Sequence, residues 1–335
     1  MKQVKQLDCG VFTISLDFEL VWGTLDILGA DKLSRVYKYE RDQVIDRLLD
    51  LFVEFEISAT WCILGHLFLE KCSAENGAKH PEIVRPQHYW HPADWFVHDP
   101  CKDTENSPIF YGRDLVKKIR DCRFPQEIGS HSFSHVIFGD EGCSPETAQS
   151  ELAECMKLAR EMNIEMSSFV FPRNEVGHLD IVRRAGFKYY RGAEPNWFEN
   201  PKYPQKFRRI MRMLDVLRAA KPPVVLPEQE ENGLWNIPGS AMYFPMNGIR
   251  KYVPLGLRTS RVFKGLDAAV KEKKIFHLWF HPTNMADEPE QMFVGLRKIL
   301  EYADSLRQKG KLDILPMKEI ISKKGELEEK FKEIV

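Results

Sequence analysis

Residues 10–19 read Gly-Val-Phe-Thr-Ile-Ser-Leu-Asp-Phe-Glu, and from Phe12 the alternation is strict. Phe12, Ile14, Leu16 and Phe18 fall on one face, while Thr13, Ser15, Asp17 and Glu19 fall on the other. This pattern predicts a strand with its apolar face under helices and its polar face toward the inside of a barrel. Residues 40–56 carry a helical stripe of Val44, Ile45, Leu48, Leu49 and Phe52. Residues 57–64 read as the next strand, which completes a right-handed crossover unit. Further helices are expected over 113–122, from Pro145 to about Met162 with Ser144 as N-cap, over 178–185, around 205–220, and over 262–273 and 288–308. Strands are expected over 126–131, 167–173, 187–191 and 235–244, the last interrupted by Pro238 and Gly239. Residues 275–281 repeat the first strand's alternation: Phe276, Leu278 and Phe280 face one way, His277, Trp279 and His281 the other. A charged tail closes the chain.

The rhythm breaks at 70–112, where prolines, Tyr89, Trp90, Trp95, Phe96 and four histidines gather without periodicity. A long irregular segment in a compact domain is usually functional or disordered, and the aromatic content argues against disorder. Two roles suit it: a platform on which sugar rings pack, or a loop held over the barrel by its own aromatics. His88 and His91 have no acidic or thiolate partner at clear spacing, so no second metal site is expected there.

A length of 335 residues allows one large α/β barrel, and the absence of a linker or repeat favours a single domain over 1–335. A net charge of −1 removes any reason to expect nucleic acid or an anionic membrane as partner. No apolar run reaches the roughly 18 residues of a membrane span. The first residues do not read as an export signal, and the seven cysteines show neither a Cys-x-x-Cys nor a disulfide-framework spacing. Both point to a reduced, cytoplasmic protein. Homo-oligomerisation is left open.

Candidate chemistry collects at predicted strand ends: Asp17 and Glu19, then His131 with His135, then Arg173, then His281. Parallel barrel strands all open on one face, so these distant residues should meet. One carboxylate with two histidines is a three-ligand catalytic metal set. The second carboxylate can act as general base, and a histidine on the opposite rim as acid.

The ordered motifs resemble the polysaccharide deacetylase, or NodB-homology, family of carbohydrate esterases. Thr13–Glu19 looks like the acidic first motif, and Ala59-Thr60-Trp61 resembles the strand that follows it. His131-Ser132-Phe133-Ser134-His135 matches the His-Ser/Thr-x-x-His metal motif. Phe169–Asn174 is similar to the groove-wall motif, and Leu278–Asn284 to the last motif, with its acid histidine. The resemblance implies a distorted (β/α)7 barrel, with an insertion after the second strand here. It also implies metal-dependent removal of an acyl group from the nitrogen of an N-acylated sugar. Asp17 would be the base, His281 the acid, and His131 and His135 metal ligands. Trp61, Trp90, Trp95, Trp197 and Asn284 are the candidate substrate contacts. Many members carry two adjacent aspartates, the second on the metal. Phe18 stands in that place here, and Glu19, on Asp17's face, is the expected third ligand. The position of the third motif's usual arginine holds Val170, and Arg173 follows three residues later as the candidate partner of Asp17. Zn²⁺ suits the histidine-rich set best, with Co, Ni, Fe and Mn open. Without an export signal, a cytoplasmic precursor of surface polysaccharide is the expected substrate. Two other readings stand beside this one: a metal-independent, allantoinase-like hydrolase of non-sugar C–N bonds, and a non-catalytic carbohydrate-binding barrel.

Overall fold

The computed structural model describes residues 3–25, 34–72, 74, 76–196, 198 and 203–322, with the side chains of Gln205 and Arg209 left out; Trp197 lies outside these residues. The strand read first from alternation is β1 (Gly10–Phe18), buried along its whole length. Around it run β2 (Thr60–Ile63), β3 (Glu127–Ser130), β4 (Ser168–Val170), β5 (Tyr189–Arg191), β6 (Trp235–Asn236), β7 (Ala241–Met242) and β8 (Ile275–Phe280). The order across the sheet is β6-β5-β4-β3-β2-β1-β8-β7, all parallel.

β6 and β7 are the two halves of the strand expected to break at Pro238 and Gly239. The first half pairs with β5 and the second with β8, so one interrupted strand joins the two sides of the sheet. Bonds from Ile237 N to Tyr190 O, Gly239 N to Gly192 O and Ser240 N to His277 O carry the handover. The sheet thus curls into a distorted barrel, as the resemblance implied, with the polar faces of β1 and β8 inside as their alternation predicted.

The helical stripe at 40–56 forms α1 (Ile45–Glu54), preceded by a π-helical turn, Glu40–Val44, and a helical turn, Ser34–Tyr39. Next come α2 (Arg113–Arg120), α3 (Pro145–Glu161), α4 (Leu179–Arg184), α5 (Gln205–Leu217), α6 (Leu255–Glu272) and α7 (Pro289–Gln308). Ser144 caps α3 as its sequence suggests, its Oγ accepting from Thr147 N at 3.1 Å. α6 starts at Leu255, earlier than its hydrophobic stripe, because Arg258 and Thr259 are buried there in place of apolar residues.

β1 and β8 pair in register, Thr13 beside His277 and Ser15 beside Trp279, so their polar faces share the interior. Phe18 packs edge-on against Trp61 on the outer face, 6.1 Å between ring centres. The charged tail is in part structural. Leu312–Ile314 adds a parallel strand to the start of β1, and 317–322 turns under the barrel. There Met317 N donates to Thr60 Oγ1 and Lys318 N to the buried Glu127 carboxylate, which also accepts from Thr60 and Ser168. The barrel floor is closed by hydrogen bonds and the mouth is left to the loops. No described helix is long and apolar enough to cross a membrane.

Candidate metal centre at the barrel mouth

Asp17 ends the polar face of β1, and Glu19 follows one residue past the strand. Both side chains turn to the mouth, where they are almost fully buried. Leu20 then takes a φ of +46° and the chain enters a 3₁₀ turn, Leu20–Thr24. That turn brings Gly23 against the Glu19 carboxylate: a Cβ at 23 would sit 1.8 Å from Oε1.

His131 leaves the end of β3, its N–H bonded to Ile63 O. The loop to His135 is tight, with φ of +63° at Ser132 and +66° at His135. Glu151 of α3 holds it. The buried Glu151 carboxylate accepts from Phe133 N and Ser134 N at 2.8 Å each and from Ser134 Oγ at 2.5 Å. Burial pushes its pKa up to about 7 despite these bonds.

Glu19, His131 and His135 converge. Glu19 Oε2 is 3.2 Å from His131 Nε2 and 3.2 Å from His135 Nε2. His131 Nδ1 lies 2.9 Å from the Val170 carbonyl, so it carries the proton and Nε2 presents a lone pair. Glu19 Oε2 is buried with no partner in hydrogen-bonding geometry. Tetrahedral bonds of about 2.0–2.1 Å put neighbouring ligand atoms about 3.3 Å apart, which is the spacing found. The three side chains therefore fit one divalent cation.

Asp17 is held apart from this set. Arg191, the last residue of β5, binds both its oxygens at 2.7 Å and also reaches Ser15 Oγ and Asn174 Oδ1. The Arg191 guanidinium lies over the Trp279 ring, 4.4 Å from its centre. Burial alone would raise the Asp17 pKa, but the charge and bonds of Arg191, with His131 and His281, bring it below the ordinary carboxylate value. Glu19 stands well below its ordinary value too: burial is outweighed by the three histidines around it. His281 follows β8, the direct neighbour of β1, and is a quarter exposed, with Nε2 3.4 Å from Glu19 Oε1 and 3.9 Å from Asp17 Oδ2.

Several sequence expectations are corrected here. Arg173 is not the partner of Asp17. It lies over the Trp90 ring at 4.8 Å and lines a cleft, and Arg191 has the position expected of it. Trp61 is not a substrate contact, because it is fully buried beneath the helices between Phe18 and Phe52. Trp95 is buried and donates to Ser134 O, bracing the histidine loop. Asn284 is buried and accepts from His281 N at 3.2 Å, which orients the rim histidine. Trp90 is half-buried, stacked on His88; both bind Asp140. His88 thus has an acidic partner that spacing could not reveal. Arg191 and Glu151 were missed. The only sequence signal for Arg191 was a cation closing a short strand opposite two interior carboxylates.

Beside the mouth lies a cleft of about 750 Å³ bordered by Trp279, Asn174, Arg173, Arg208, Arg212 and Glu194 among others. Trp279 Nε1 donates to Glu194 at 2.9 Å.

The sequence matches no family model and no curated protein. Solved structures do match. One from Mycobacterium smegmatis, assigned as a polysaccharide deacetylase, superposes with a TM-score of 0.61 at 12% identity, covering 96% of this chain and 93% of that one. A second from Pseudomonas aeruginosa PAO1, with the same assignment, gives 0.56 at 12% identity over 93% of this chain and 90% of that one. The fold is that of the polysaccharide deacetylases. PuuE allantoinase shares it, at a TM-score of 0.57 and 12% identity over 93% of this chain and 89% of that one. The polysaccharide deacetylase fold thus accommodates proteins named for different chemistry, and the choice between them falls to the side chains at the mouth.

Proposed function

We propose that the chain is a metal-dependent hydrolase that removes an acyl group from the nitrogen of a sugar. The observation that carries this reading is the Glu19 oxygen with two histidine nitrogens at 3.2 Å, buried and without a proton donor in place. A divalent ion held by Glu19, His131 and His135, zinc by preference, would polarise the amide carbonyl and acidify water. Asp17, kept ionised by Arg191, accepts the proton of the attacking water. His281, beside Asp17 on the neighbouring strand end, delivers a proton to the departing nitrogen. Asn284 and Ser132 position the two histidines through the backbone. Three arginines against Glu175 and Glu194 on the cleft favour a sugar carrying phosphate, as a nucleotide- or lipid-linked precursor does.

The test pairs metal analysis with acetate release from N-acetyl sugars and their phosphorylated or nucleotide-linked forms. Glu19→Gln is expected to lose the bound ion and to cut kcat by at least about 100-fold, and Asp17→Asn to do the latter while keeping the ion. The allantoinase match motivates the second reading, a metal-independent hydrolase of non-sugar C–N bonds. Hydrolysis that survives both chelation and Glu19→Gln but not Asp17→Asn would establish it instead. Sugar binding without acetate release would leave a non-catalytic barrel.

A further inference from the structure

A second set of ligand atoms converges where the 70–112 insertion meets the turn after β2. His66 comes from that turn, and Cys72, His80 and Asp99 from the insertion; the two histidines and Asp99 are buried. One donor atom from each lies within 4.8 Å of all the others. His66 Nε2 and His80 Nε2 are 3.2 Å apart. Asp99 Oδ2 is 2.9 Å from His80 Nε2, 3.5 Å from His66 Nε2 and 3.6 Å from Cys72 Sγ. Tetrahedral zinc sets edges of about 3.3 Å between nitrogen and oxygen ligands and about 3.6 Å to sulfur.

The ring contacts show what each histidine offers to the space between these atoms. His66 Nδ1 is 3.0 Å from the Phe110 carbonyl, which only accepts, so Nδ1 carries the proton and Nε2 a lone pair. His80 has a carboxylate at each nitrogen, Glu82 3.3 Å from Nδ1 and Asp99 2.9 Å from Nε2, so its inward nitrogen meets Asp99 either as a donor or as a fellow metal ligand. The His66 lone pair, His80 Nε2 and the Asp99 oxygen point at one buried spot, where a single cation would satisfy all three at once. A ring N–H bound to an oxygen acceptor with Nε2 turned inward is the usual setting of a metal-bound histidine. The Tyr111 hydroxyl lies 3.2 Å from Cys72 Sγ, placed to donate to a thiolate, and Cys101 Sγ is 3.0 Å away on the other side.

We propose that His66, Cys72, His80 and Asp99 form a closed structural site for a zinc-class divalent cation. The thiolate selects against magnesium, calcium and manganese, and four protein ligands leave no position for substrate. The site ties the insertion to the barrel. Phe133, between the two mouth histidines, packs against both His66 and His80, with ring centres 5.7 and 5.3 Å away. The proposal does not depend on the hydrolytic reading.

Cobalt loading of the metal-free full chain tests it, because the mouth triad contains no sulfur. A thiolate-to-cobalt charge-transfer band is expected in the wild-type chain, retained in Glu19→Gln and lost in Cys72→Ser and His80→Asn. Bound metal should fall from about two equivalents to about one in each of the three variants. A wild-type chain without the band overturns the proposal, and needs no variant to fold. So does a band that persists in Cys72→Ser, a Cys72–Cys101 disulfide found by intact mass in the purified protein, or a metal content unchanged in His80→Asn. A band with one equivalent in the wild type would keep this site and remove the ion from the mouth.

Discussion

Arg191 has both charges of a buried pair to answer for. Its bidentate grip fixes Asp17 at the mouth, and removing one member of such a pair strands the other in low dielectric. Arg191→Met is expected to destabilise the metal-free chain by about 3 kcal/mol in urea unfolding and to release Asp17 toward a higher pKa. Gly23 acts by being small. Gly23→Ala places a methyl group inside the Glu19 carboxylate, so the expected result is a folded chain with at least tenfold weaker metal binding, measured by competition with a chelator. Asp17, Glu19, His131, His135 and His281 were legible because long strands announce their faces or because spacing marked them. Arg191 was not, since a three-residue strand has too little alternation to show which side an arginine takes. Trp61 misled for a different reason: Ser58, Thr60 and Cys62 alternate with Ile57, Ala59, Trp61 and Ile63, which puts Trp61 on the outer, apolar face, and its place in the motif order outweighed that pattern.

The element that makes the site is the loop from His131 to His135, and what makes the loop is Glu151. Two backbone N–H groups and a hydroxyl end on one buried carboxylate from α3. Glu151→Ala leaves all three without an acceptor. A loss of about 3 kcal/mol is expected in denaturant unfolding, together with weaker metal binding although no ligand is touched. Glu151 lies in a helix whose cap and stripe were readable, yet its inward aim depends on how α3 docks. Positions of this kind become visible only when elements are packed. The insertion shows the same limit: its aromatics and histidines marked it as ordered, but without periodicity nothing said that His66 and His80 would share Asp99, or that His88 would reach out to Asp140.

At the scale of the whole molecule, two buried groups set opposing pH dependences. His277 is pressed between Ser15 and the Ile237 and Pro238 carbonyls, and burial with the nearby Arg191 charge lowers its pKa to about 3. The unfolded chain takes up this proton at about 6.5 and the folded chain does not, so stability present above 6.5 is lost as pH falls toward 3. Glu40, in the π-helical turn and hydrogen-bonded by Thr283, is raised by burial to about 8. Here the folded chain holds the proton longer, so stability present below about 4.5 is lost as pH rises to 8. Each group alone gives a slope of about 1.4 kcal/mol per pH unit within its window. The two oppose one another between 4.5 and 6.5. His277→Gln should flatten the acid limb and Glu40→Gln the alkaline limb of urea-derived stability in the metal-free chain; unchanged slopes would refute the assignment. The barrel itself was readable at this scale. Two alternating strands, β1 and β8, defined its interior, and even the break at Pro238 was visible. What the sequence could not express is that the break serves as the seam, with β6 paired to one neighbour and β7 to the other.

Gly23 also ties two positions together for any redesign of the mouth. The Glu19 carboxylate occupies the space that a side chain at 23 would need, since a Cβ there would meet Oε1 at 1.8 Å. The two positions therefore cannot be varied independently. Glu19→Asp draws the carboxylate back and should make Gly23→Ala tolerable, whereas Gly23→Ala alone forces the longer arm aside. A double-mutant cycle on folding stability is expected to show the coupling.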